Sequence, residues 1–246
     1  MGKQKLTHKI VRAFHESGHA VIGFEFGYRI LEVSLKAPKA NQGLVTMQYF
    51  ESNDVNQFPP YNPNLNDSEE TVLGFHYQKY RLIPSFKKAI IDYAGYASEH
   101  YLLQSNDFEI PFFPWRYKYS EFFKNDFNYK FLNKNERDLD ARKAFDRLTK
   151  YYENVLTDPN ARPFDSSHIN TSEIDYRVHV AQNISSRISR NIISHPRTWY
   201  LIQRLGFALL DDKKYKFGET EVNKILNESK NQFSNLKAGG ADRSLQ

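Results

Sequence analysis

The stretch "AFHESGHAVIGFEFG", Ala13 to Gly27, constrains this chain more than any other part of it. It sets His15 and His19 four residues apart, with Glu16 directly after the first. Around them Ile10, Val11, Phe14, Ala20, Val21, Ile22 and Phe24 recur at helical spacing, which predicts an amphipathic helix buried toward its end. Thr7 fits the N-cap and Gly27 the C-terminal stop. At about 100° per residue, His15 and His19 lie about 40° apart and Glu16 about 60° further round, so one narrow sector holds all three. Burying such a set costs free energy unless each polar group finds a partner. A structural polar cluster is one answer. A metal ion is the other: two neutral imidazoles bind Zn²⁺ at about 2.0–2.1 Å, and a glutamate beside them reaches a zinc-bound water. One zinc per chain is the expectation, with His15 and His19 as ligands and Glu16 as the catalytic acid/base.

A catalytic zinc site needs a third protein ligand and an open fourth position. The extended motif H-E-x-x-H-x-x-G-x-x-H does not supply it, because Ile22 and Glu25 stand where its Gly and His would be. The chain has no Cys, so thiolate ligands, disulfides and cysteine nucleophiles are excluded. By chemistry alone Glu99, Asp138 and Asp140 are candidates, each on a predicted helix. His76, His100 and His179 read as structural or surface histidines.

The 246 residues suffice for a sizeable core, and 19 Phe and 16 Tyr make that core aromatic. The formal charge of +5 is spread along the chain without a long basic block, so no nucleic-acid partner is expected. No window reaches the roughly 18 apolar residues of a membrane helix, and the N-terminus lacks a secretory signal. A cytoplasmic protein without a membrane segment is the expectation. After the first helix, "RILEVSLKAP" and "GLVTMQYFE" read as two neighbouring strands or a hairpin. Helices are expected near Ser68–Tyr80, Ser85–Leu103, Glu136–Leu156, Thr171–Ile193, Arg197–Leu210 and Gly218–Ser229. "SNDVNQFPPYNPNLND" and "TDPNARPFDSSH" read as loops, and 105–135 as aromatic and irregular; its stretch "FEIPFFPWRYKYSEFF" is expected to fill core, against the alternatives of covering the cleft or a protein interface. Residues 1–236 form one expected domain, with insertions at about 52–80 and 105–135, and 237–246 a disordered tail. The fold class is mainly α (α+β), with a small β element after the histidine helix.

Several pieces together resemble the peptidase domain of the FtsH-type membrane AAA proteases. "HESGHAVIG" resembles that family's HEAGHA helix, and "ILEVSLKAPKANQGLVTMQYFESND" its strand, turn and second strand. "IIDYAGYASEHYLL" resembles its AGRxAEE helix, and "FGETEVNKIL" its C-terminal helices. The resemblance covers most of the chain. It implies a zincin-like helical metallopeptidase that hydrolyses peptide bonds, with His15 and His19 on zinc and Glu16 activating the water. It makes Glu99 the group that orients a ligand histidine. It makes the third ligand an aspartate at the start of a helix. Asp140 has Ala144 and then Leu148, Tyr151, Tyr152 and Val155 in the family's apolar register. Asp138 is the alternative: it is followed by Leu139, as in the family, but its register turns Arg142, Asp146 and Lys150 inward.

The family's ATPase module and membrane helices have no counterpart in these residues. The expected partners are therefore a protein or peptide substrate, with a separate ATPase or unfoldase, or self-association, for folded targets. "GLVTMQYF" could hold an extended substrate by strand addition, against the reading of an ordinary core or edge strand. The rival function is a catalytically silent binding or regulatory module on a peptidase fold.

Overall fold

The first helix of the computed structural model begins where its cap dictates. Thr7 is extended (φ −120°, ψ 160°), and its hydroxyl accepts from the Ile10 amide at 3.3 Å. The helix, α1, runs His8–Glu25. It ends in a Schellman motif: Gly27, at φ 82°, donates to the Phe24 carbonyl, and Tyr28 donates to the Gly23 carbonyl at 2.9 Å. The left-handed conformation of residue 27 is the reason for glycine there.

The structure describes residues 4–36, 43–49, 84–104, 108–109, 139–157, 171–211 and 215–241. The helix expected at 68–80 and the aromatic stretch "FEIPFFPWRYKYSEFF" lie outside them, apart from the two residues Phe108–Glu109. The described elements follow in order: β1 (Gln4–Lys5), α1, β2 (Arg29–Ser34), β3 (Leu44–Gln48), α2 (Pro84–Gln104), β4 (Phe108–Glu109), α3 (Leu139–Thr157), α4 (Thr171–Ser194), α5 (Pro196–Asp211), β5 (Lys216–Gly218) and α6 (Glu219–Ala241). Among the described residues the fold is mainly helical, with a small antiparallel sheet ordered β3-β2-β5 and a two-residue parallel pairing of β1 with β4.

The chain divides into two compact units. The first comprises Met1–Tyr49, Ala94–Tyr119 and Ser189–Gln246. Its core is the face of α1 packed on α5. Phe14 is fully buried, with Trp199 at 5.6 Å tilted against it and Phe207 at 5.4 Å edge-on. Ile10, Leu201, Ile202 and Leu205 complete the layer. Arg197 donates to both oxygens of Glu25 at 2.8 and 3.0 Å, joining the start of α5 to the end of α1.

The sheet lies against the same helix. Strict alternation would set Ile30 and Val33 on opposite faces, yet both are fully buried. A register shift between Ile30 and Glu32 inserts one residue and turns both inward. β5 was not expected as a strand; Gly218 reads as a helix start. Its three residues are too few to carry a period. The strand is fixed from outside, by pairing with Glu32, Val33 and Ser34 and by the Leu35 amide donating to the Tyr215 carbonyl at 2.8 Å. The final helix also runs on to Ala241, into the segment expected as tail. Phe233, 5.6 Å from Tyr200, and Gln232, which accepts from the Tyr200 hydroxyl at 3.2 Å, dock the extension on α5.

The second unit comprises Phe50–Tyr93 and Ser120–Ile188. Its core gathers Phe86, Ile90 and Tyr93 of α2 with Ala141, Ala144 and Leu148 of α3 and Val178 and Ala181 of α4. Phe86 meets Tyr151 edge-on at 5.4 Å, and burial pushes the Tyr151 hydroxyl up to about 12. The buried carboxylate of Asp92 accepts from Arg147 at 2.8 Å, and Gln182 donates to the Tyr93 hydroxyl at 3.1 Å.

Candidate metal centre

Helix geometry puts His15, Glu16 and His19 on one sector of α1, and the packing buries it. Glu16 is 7% exposed and His19 8%. The element that covers them is the second half of α2, from Ala94. A Cβ on Gly18 would collide with the Ser98 side chain and lie 2.6 Å from the Ala94 carbonyl, so the two helices touch there nearly backbone to backbone.

That close approach brings Glu99 to His15. The Glu99 carboxylate lies 2.7 Å from His15 Nδ1. An ionised carboxylate only accepts, so Nδ1–H donates, and the neutral ring then carries its lone pair on Nε2. His15 Nε2 lies 3.0 Å from His19 Nε2, with the rings 78° apart. Two nitrogens on one tetrahedral zinc, each at about 2.0–2.1 Å, stand about 3.4 Å apart. The observed separation is within a few tenths of that value, so the imidazole pair fits a zinc ion. A hydrogen bond from His19 Nε2–H to His15 Nε2 fits the same distance. Tyr96 packs edge-on against His15, 5.1 Å between ring centres and 86° between planes, and limits the ring's rotation. Residue spacing gives Tyr96 no role; only its place one turn before Glu99 could have marked it.

Asp140 lies in the second unit, in the first turn of α3. Its carboxylate accepts from Lys143 at 2.8 Å. Burial lowers the Lys143 ammonium, but the charge and hydrogen bond of Asp140, together with the charge of Asp92, raise it on balance. Along α3, Ala144 and Leu148 are fully buried while Arg142 and Asp146 are exposed. Asp138 and His76 lie outside the described residues, as does the side chain of His179. His100 is partly buried on α2; burial, and then the charge of Arg190, lower it from the usual imidazole range.

Among the described residues, no helix is long and apolar enough to cross a membrane. No protein-family model matches the chain, and no curated protein matches it.

Proposed function

We propose that this protein is a zinc-dependent metallopeptidase with a zincin-like, FtsH-type peptidase fold. In this reading His15 and His19 are two ligands of one zinc ion, and Asp140 is the third, as the resemblance to the family implies. Two imidazoles and a carboxylate suit zinc and leave a coordination position for substrate. The observation that carries the reading is the imidazole pair itself. Two Nε2 atoms stand 3.0 Å apart, Glu99 sits 2.7 Å behind His15, and the buried Glu16 lies on the same helical sector.

Zinc, when bound, supplies a Lewis acid that polarises the peptide carbonyl and acidifies water. The chain's own residues do the rest. Glu99 holds the His15 Nδ1 proton and so keeps Nε2 as the donor atom. Glu16 accepts a proton from the attacking water and delivers it to the departing amine nitrogen. The water oxygen bonds to the carbonyl carbon first, and the C–N bond breaks once the amine nitrogen has taken that proton. β3 lies at one edge of the described sheet, and Gly43, just before it, lies against the Glu16 carboxylate. An extended peptide added to that edge would run past Glu16.

The test is digestion of a peptide library by zinc-loaded protein, with a chelator and Glu16→Gln as controls. Cleavage is expected from the wild type, and a rate loss of about 10²–10⁴-fold from Glu16→Gln. A zinc-bound wild type that cleaves nothing would leave a silent binding module as the better reading.

A further inference from the structure

Two glycines border the site, Gly95 and Gly43, and Gly95, inside a helix, has no backbone reason to be glycine. Among the described residues only Gly27 is a glycine at positive φ. Gly95 lies in the interior of α2, where glycine costs about 1 kcal/mol relative to alanine. A Cβ on Gly95 would stand 2.5 Å from His15 Nε2, 2.5 Å from His19 Nε2 and 2.6 Å from His15 Cε1. Relaxed contacts between such atoms are at about 3.5 Å or more. The three nearest atoms thus all belong to the two imidazoles, and two are the nitrogens assigned to metal binding. The His15 ring has little freedom to give way: Glu99 holds its Nδ1 side, and Tyr96 packs against it at right angles. Gly43 repeats the pattern on the other flank. The nearest atoms to its Cβ would be Oε1, Cδ and Cγ of Glu16, all in overlap.

We propose that Gly95 and Gly43 are positioning residues, whose missing side chains let α2 close on the imidazole pair and the backbone at Gly43 lie against the Glu16 carboxylate. The functional meaning rests on the metallopeptidase reading; the steric assignment does not. Gly95 acts through His15 and His19 on metal affinity, and Gly43 acts through Glu16 on turnover.

Chelator competition with zinc, using the whole chain, reads the first role. Gly95→Ala should weaken zinc binding by about tenfold or more. Gly43→Ala should keep zinc affinity within about twofold and lower kcat with KM little changed. A Gly95→Ala protein that binds zinc as tightly as wild type, or a Gly43→Ala protein with wild-type kcat, overturns the corresponding assignment. Thermal melts of chelator-treated protein read the steric claim without metal. The fall in Tm caused by Gly95→Ala should shrink by at least about half in a His15→Ala, His19→Ala background. Equal falls in both backgrounds overturn the proposal. If Gly95→Ala alone does not fold, recovery in that background supports the proposal, and failure there too overturns it. Coupled melts in a protein that binds no zinc keep the steric assignment and remove only the metallopeptidase reading.

Discussion

At the scale of single residues the site is organised by one proton. Glu99 fixes it on His15 Nδ1, and that choice aims the Nε2 lone pair at the space beside His19. Both partners of the contact are largely buried, with side-chain exposures of 13% and 12%. Replacing Glu99 by Ala should weaken zinc binding about 10–100-fold while leaving the helix in place. Zinc titration with circular dichroism in parallel checks this; unchanged affinity would remove the orienting role. How far such residues could be read in advance varies with how local their signal is. His15, Glu16 and His19 declare themselves, because a four-residue spacing becomes one helical face. Nothing local links Glu99 to His15, 84 positions away; only the resemblance of "AGYASEH" to a family motif relates them. Gly95 and Gly43 fall within stretches that carry the resemblance, but nothing in the sequence shows what a side chain there would meet, since that is defined by the space between elements.

At the scale of elements, α1 is both core and site. Its cap and its Schellman end fix where it starts and stops, and its apolar face holds α5 through Phe14. Truncating Phe14 to Ala should destabilise the fold by about 3–5 kcal/mol. Denaturant unfolding would measure the shift, and a loss under about 1 kcal/mol would mean that the Phe14 layer is not the core it is taken to be. Helices of this kind were legible because a 3.6-residue period persists over many turns. Pro196 at the first turn of α5, just past the end of α4, likewise marks the break between them. The sheet was less legible. Its third strand has three residues, and its bulge breaks the two-residue period that a strand reading relies on. The extension of α6 past Ser229 is set by contacts with Tyr200, which no local pattern contains.

At the scale of the whole molecule, buried ionisable groups shape the pH range over which the fold survives. Tyr151, raised to about 12 by burial, keeps its proton in the folded state where an unfolded tyrosine loses it. Above about pH 10 the unfolded chain therefore holds fewer protons than the folded one, and stability falls as pH rises. The loss runs from about pH 10 to about 12, and it should be smaller in Tyr151→Phe. Parallel alkaline slopes for the two proteins would contradict that assignment.

Zinc stoichiometry tests the central claim most directly. Protein purified at neutral pH and measured by elemental analysis should carry about one zinc per chain. Glu16→Gln should keep that zinc, and His15→Ala, His19→Ala and Asp140→Ala should each reduce it. A wild-type protein that takes up no zinc, even when the ion is supplied, would contradict the account.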